Sequence, residues 1–130
     1  MGAAAGALDA QRARLEVAVS NLANAESTKT ASGGPYRRRE VVLEAVQRGG
    51  ASGSFGVQVA GIVEDQSPFQ ERFEPSSADA DENGMVLMPN VDVPMEMVDM
   101  LSAARAYQAN LAAISLIRET VQKALEVGRG

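Results

Sequence analysis

The chain has 130 residues, no cysteine, no histidine and a net charge of −5. Without Cys there is no disulfide framework and no thiolate metal site, and without His the commonest general base and metal ligand is gone. Ser–His and Cys–His chemistry are therefore excluded, and nothing approaches the ~20 apolar residues of a membrane-spanning helix.

The length suits one modest domain. The charge is uneven. Residues 1–30 balance, 31–63 carry +2 through Arg37, Arg38 and Arg39, 64–99 carry −9, and 100–130 carry +2. An acidic middle beside basic segments suits head-to-tail contacts between subunits, against the plainer reading of a solvated acidic surface.

Residues 2–7 (GAAAGA) are weak helix starters, and no basic stretch followed by an apolar run marks a cleaved signal. Helix is expected from Leu8 to about Ala25, with Leu8, Leu15 and Leu22 on one row and Ala4, Ala18 and Ala25 beside it. Such a stripe must be covered by another helix. An Ala-rich seam allows close approach but removes little apolar area from water, at roughly 25 cal/mol per Å². The isolated chain is therefore expected to be marginally stable or partly disordered. Asn21 and Asn24 sit on this helix despite poor helix propensity. They are candidates for fixing interhelix register, as buried Asn does in coiled coils, or for fraying and capping the helix end.

Ser27, Thr28, Thr30, Ser32, Gly33, Gly34 and Pro35 break the helix. Residues 38–47, with Val41, Val42, Leu43 and Val46, and residues 55–64, where Phe55, Val57 and Val59 alternate with Gly56, Gln58 and Ala60, read as a β-hairpin. A flexible Gly-rich turn at 49–54 joins them. Residues 65–90 are rich in Pro, Ser, Asp and Asn and read as irregular, with one short strand at 85–88.

Pro94 can open a final helix, with Glu96 and Asp99 in its first turns complementing the dipole. Met100, Ala104, Tyr107, Leu111, Ile114, Val121 and Leu125 follow spacings of three and four up to Gly128, with only Arg118 breaking the row. That is about 33 residues, on the order of 50 Å, and suits a rod, bundle or filament. The expected fold is mainly α with a small β-containing middle segment. Long N- and C-terminal helices pack as a coiled-coil-like hairpin or bundle. Its parts are 1–28, 29–92 and 93–130 within one structural unit.

Asp79-Ala80-Asp81-Glu82-Asn83-Gly84 has the start of a calcium loop. Position 12 is Asn90 in place of Glu, no helix precedes it, and a polar turn explains the same residues. A calcium- or partner-binding module built on residues 79–90 is the alternative from a different function class. Three arginines in an acidic chain are a weak nucleic-acid signal; Arg37, Arg38 and Arg39 read better as a subunit-contact patch. The cluster Met85, Met88, Met95, Met97 and Met100 reads partly as core and partly as an adaptable surface.

Several segments carry a family resemblance. Ser20-Asn21-Leu22-Ala23-Asn24-Ala25 followed by Ser27-Thr28-Lys29-Thr30 resembles the N-terminal signature of flagellar rod, hook and hook-associated proteins. Gly33-Gly34-Pro35-Tyr36-Arg37-Arg38, the 79–84 loop, Met88-Pro89-Asn90-Val91, residues 96–100 and residues 104–110 (ARAYQAN) narrow the resemblance to basal-body rod proteins of the FlgC, proximal-rod type. The likeness spans nearly the whole chain. Two departures stand out. Several residues that usually precede the first helix are missing or replaced by Gly and Ala, and Met85 stands where an aromatic is frequent.

The resemblance implies a non-enzymatic structural subunit of the bacterial flagellar basal body. Such proteins leave the cytoplasm through the flagellar type III export apparatus without a cleaved signal. They assemble in the periplasm with copies of themselves and other rod proteins, near the MS ring and export gate, into a torque-transmitting drive shaft. The terminal helices then form the inner tube and the middle segment the outer layer. No cofactor, metal, nucleic acid or small-molecule substrate is implied. The helix-packing residues expected on this reading are Leu8, Leu15, Leu22, Leu101, Tyr107, Leu111, Ile114 and Leu125, with Asn21 and Asn24 setting register.

Overall fold

Two helices of unequal length bracket two small antiparallel sheets in the computed structural model, which describes residues 2–48 and 54–129. Helix α1 spans Gly2–Ala23, strands β1 and β2 span Arg39–Arg48 and Ser54–Glu64, β3 and β4 span Gln70–Phe73 and Met85–Met88, and helix α2 spans Val93–Arg129. The expected turn falls at residues 49–53, outside the described residues, and Ser54 already belongs to β2. The side chain of Ala4, expected in the seam, also lies outside them.

Helix α1 begins six residues earlier than expected. The Gly-Ala stretch costs helix propensity only at its two glycines, and its buried Gly6 and Ala10 offer a smooth face. Asn24 N donates to Ser20 O and Ala25 N to Leu22 O as the helix unwinds. Helix α2 has 37 residues, longer than expected, and continues through Gly128 to Arg129.

The two helices pack against each other. Asn21, near the end of α1, donates to Glu96 near the start of α2, so only an antiparallel course lays α1 along α2. The deepest seam positions are small: Ala10, Ala18 and Ala103, with Asn21 and Glu96 beside them. Leu8, Leu15 and Leu22 flank this line half-buried. Small residues let the backbones approach closely, which is why the Ala positions, and not the Leu row, lie on the axis of contact.

Strands β1 and β2 pair as expected, with one irregularity. Val42 faces Gly61 and Leu43 faces Val59, so Ala60 is an extra residue in β2. The bulge shifts the alternation of β2 by one. It brings Ile62, opposite Val41, onto the face already holding Leu43, Ala45, Val57 and Val59. The hairpin lies beside α1, yet Phe55, Val57, Val59 and Ile62 remain exposed.

Strand β3 was not expected. It pairs antiparallel with β4, from Gln70↔Met88 to Phe73↔Met85. The turn between them relies on Gly84, whose φ is +78°; a Cβ there would lie 2.9 Å from the Phe73 ring. Val86, Met88 and Val91 with Tyr36 make the core of the middle segment.

Candidate functional site

The first sheet, both helices and the segment leading into α2 meet around Arg38. It follows the Gly33-Gly34-Pro35 break, where Tyr36 turns inward and redirects the chain into β1. Its Nε donates to Glu96 Oε1 and its Nη1 to Glu40 Oε1. Asp65 Oδ2 lies at 3.3 Å and Asp99 Oδ2 at 3.6 Å. Glu96 is 2 % exposed, in the first turn of α2. Burial opposes the charge on Arg38, but its bonds to Glu96 and Glu40 outweigh that and hold the guanidinium above its ordinary range.

Asn21 completes this joint from α1 and is fully buried. Its Nδ2 donates to Arg39 O at 3.0 Å and to Glu96 Oε2 at 3.2 Å. Its Oδ1 accepts from Tyr36 OH at 2.8 Å and Arg39 N at 3.0 Å. The amide thus pairs with both backbone groups of Arg39, as a neighbouring strand residue would. Asn90 bridges two segments on the other side: its Oδ1 accepts from Arg38 N at 2.7 Å, and its Nδ2 donates to Asp65 O and Ser67 O. Among the described residues no buried side-chain polar atom lacks a partner, so the joint meets the requirement for a buried polar network.

The three arginines do not form one patch. Arg37 donates to Asp65 O and Ser67 O and lies 4.2 Å from the Phe69 ring centre. Arg38 is committed to the joint, and Arg39 is exposed, its guanidinium 5.9 Å from the Tyr36 ring centre. Asn24 stays local: its Nδ2 donates to Ser20 O and its Oδ1 accepts from Ser27. Only Asn21 of the asparagine pair reaches α2.

Two surface clasps tie the segment after α1 to the second sheet. Arg72 makes a two-pronged contact with Glu26 at 2.8 and 3.0 Å, which depresses the Glu26 pKa. Lys29 lies 3.0 Å from Asp79, and Thr28 donates to the same carboxylate, whose pKa is likewise depressed. Asp81 Oδ1 accepts from Asn83 N and Met85 N. The acidic loop therefore spends Asp79 and Asp81 on protein partners, and no metal-holding carboxylate cluster occurs among the described residues.

The helix faces divide the remaining packing residues. Tyr107 and Ile114 are half-buried, while Leu101, Leu111 and Leu125 are 59, 48 and 61 % exposed. Every described residue of α2 from Ser115 onward is exposed. Sequence reasoning missed Glu96 as a buried partner and assigned it only to the helix dipole. Its signal was an acid flanked by Met95 and Met97, at a position in register with the apolar seam. It also missed Tyr36 and Asn90, whose partners are far away in sequence.

The sequence matches known proteins along nearly its whole length. Residues 1–29 match the family described as flagella basal body rod protein, and residues 82–127 match flagellar basal body rod FlgEFG protein C-terminal. The chain is 46 % identical over 126 residues to the flagellar basal-body rod protein FlgC of Salmonella typhimurium, covering 97 % of this chain and 93 % of the relative. It is 38 % identical over 144 residues to FlgC of Bacillus subtilis, covering 99 % and 96 %. It is 40 % identical over 122 residues to FlgC of Aquifex aeolicus, covering 94 % and 90 %.

Proposed function

Because this chain belongs to the FlgC family of flagellar basal-body rod proteins, we propose that it acts as a splice in the drive shaft of the flagellum. It is a structural rod subunit of the basal body, not an enzyme. On this reading it leaves the cytoplasm through the flagellar type III export apparatus without a cleaved signal. In the periplasm it takes its place in the rod beside its own copies and other rod proteins, near the MS ring and export gate. Segments 1–28 and 93–130 serve the inner tube, and 29–92 serves the outer layer.

The observation that carries this reading is the unequal length of the two helices. At 1.5 Å per residue, the 22 residues of α1 reach about 33 Å and the 37 of α2 about 56 Å. The last turns of α2 thus continue an apolar seam with no α1 beneath it, and a helix with a bare apolar stripe needs a partner. Leu8, Leu15, Leu22, Tyr107 and Ile114 then serve the seam within the chain. Leu101, Leu111 and Leu125 face neighbouring subunits. The joint at Arg38 keeps the sheets fixed to the helices when torque passes through them.

Deletion of the gene, with swimming scored and basal bodies imaged by electron microscopy, tests the reading. Non-motile cells with inner-membrane rings and no completed rod are expected. Normal flagella after deletion would overturn it.

A further inference from the structure

Of the five asparagines in the chain, one stands apart. Asn21 and Asn90 are buried with their amides engaged. Asn24 and Asn110 donate to the helix carbonyls of Ser20 and Ala106. Each of these four precedes Leu, Ala or Val. Asn83 lies exposed in the turn between β3 and β4 and is followed by Gly84. Its backbone N–H is bonded to Asp81, but its side-chain amide makes no hydrogen bond among the described residues.

Asparagine is a thermolabile residue, and its lability depends on its successor. The amide is lost when the next backbone nitrogen attacks the side-chain carbonyl carbon, and Gly obstructs that approach least because it has no Cβ. At Asn83, solvent base would take the Gly84 N–H proton. The bond from Gly84 N to Asn83 Cγ forms as the Cγ–Nδ2 bond breaks, and ammonia departs to leave a succinimide. Water then opens the ring. Cleavage of the new bond gives aspartate. Cleavage of the original peptide bond gives isoaspartate, in which the main chain runs through Cγ. Water enters, ammonia leaves, and no oxidant or cofactor is needed.

We propose that Asn83 is a deamidation site gated by the fold, closed in the folded chain and open in the unfolded one. Gly84 is buried, and its N–H donates to Asp81 O at 3.0 Å while its own carbonyl accepts from Glu74 N at 2.9 Å. Asp81 Oδ1 accepts from Asn83 N at 2.8 Å and Met85 N at 2.9 Å, which fixes the backbone on both sides of the reacting bond. The attacking nitrogen is therefore released only when the turn opens, and the reaction follows the population of that open state. The isoaspartyl product carries an extra methylene in the main chain. It cannot return Gly84 N to Asp81 O while keeping Phe73 opposite Met85. A chain that lingers unfolded is thus marked at Asn83, and the mark disables the β3–β4 turn. This inference is independent of the rod reading.

The purified full chain, held at neutral pH either folded in buffer or unfolded in guanidinium chloride, provides the test. Mass spectrometry of the peptide spanning Asn83 follows the amide-to-acid conversion, and isoaspartyl methyltransferase labelling reports the branched product. Conversion is expected at Asn83 ahead of the other asparagines, and at least about tenfold faster in denaturant, since the folded chain reacts only through its open fraction. Equal rates would overturn the gate, and an Asn83 that stays intact in denaturant would overturn the site. Asp81→Ala removes the carboxylate bonds without touching the reacting atoms. It is expected to speed conversion in buffer several-fold and to leave the rate in denaturant unchanged, whereas Asp81→Asn, which keeps Oδ1, is expected to match the wild type. An Asp81→Ala chain that is folded by circular dichroism and converts no faster would overturn the role given to this turn. If that variant does not fold, the two wild-type rates decide. The isoaspartyl chain, separated and returned to buffer, is expected to lose amide protection at Val86 and Met88; full protection there would overturn the disabling of the turn.

Discussion

Arg38 and Glu96 are 58 positions apart and form the ion pair that fastens the start of β1 to the first turn of α2. Glu96 is almost completely enclosed, and its second oxygen accepts from Asn21 of α1. Three elements that share little apolar core are thus held at one point by charge and hydrogen bonds. Removing one member of such a pair leaves the other charge buried and unpaired, which costs about 3–5 kcal/mol. Arg38→Ala is expected to fall in that range by urea unfolding. The double variant Arg38→Met with Glu96→Met is expected to lose much less than the two single losses added. A strictly additive double variant would mean that the two residues do not act as a pair.

The asparagines of the Ser20–Ala25 segment separate by the same reasoning. Asn21 makes four hydrogen bonds from a fully buried amide, and a buried group left unsatisfied costs about 1–3 kcal/mol. Asn21→Ala strands Tyr36 OH and both backbone groups of Arg39. It is expected to destabilise by at least about 3 kcal/mol, while Asn24→Ala, which loses only local bonds, costs about 0.5 kcal/mol. Denaturant midpoints measure both. Equal losses at the two positions would sink this division of roles.

Gly84 is fixed by backbone geometry. A residue with a side chain held in the left-handed region costs about 1–3 kcal/mol, and here its Cβ would also press on Phe73 and Pro75. Gly84→Ala is therefore expected to lower the thermal midpoint and to loosen the β3–β4 pair first. Amide hydrogen exchange at Val86 and Met88 reports this. Unchanged protection there would contradict it.

Three carboxylates set the response to acid. Arg72 holds Glu26 below its usual pKa, the hydroxyl and amide of Ser67 do so for Asp65, and Lys29 with Thr28 for Asp79. A carboxylate with a depressed folded-state pKa adds stability above its unfolded value, near ~4, and that stability is lost as pH falls through the folded value. The thermal midpoint is expected to stay level from neutral pH to about pH 5 and to drop below about pH 4, less steeply in Asp79→Asn. Circular dichroism melts across this range measure it. A midpoint that rises on acidification would reverse the sign of the argument.

Local pattern carried the architecture. The 3.6-residue period marked both helices, alternation marked the hairpin, and the run Met85–Met88 was visible as a short apolar strand. Gln70–Phe73 was hidden because all four residues are exposed. Nothing apolar sets such a strand apart from a loop, and it exists only because β4 pairs with it. The α1 seam is legible as a Leu row with Ala18 beside it and Asn21 as a register residue, but that its axis runs through Ala10, Ala18 and Asn21 with the leucines to the side is set by close helix approach, which selects small size over hydrophobicity. The joint was illegible for a related reason: a charge pair 58 residues apart leaves no periodic trace. Its acid looked like any dipole-complementing residue of a first turn, and its arginine looked like one of three.

That last ambiguity decides how the basic cluster must be probed. Replacing Arg37, Arg38 and Arg39 together by Glu would place a fifth carboxylate among Glu40, Asp65, Glu96 and Asp99, so lost motility would report only a broken joint. Arg39 is exposed and makes no ion pair among the described residues, and Arg37 bonds to backbone carbonyls. Arg39→Glu alone is expected to leave the thermal midpoint within about 0.5 kcal/mol of wild type in stability, as surface changes do, while shrinking the swimming halo if Arg39 meets an acidic surface of a neighbour. Arg38→Glu is expected to unfold the chain and abolish swimming. A fully motile Arg39→Glu strain would reduce the patch to solvated charge and leave subunit contact to the helices.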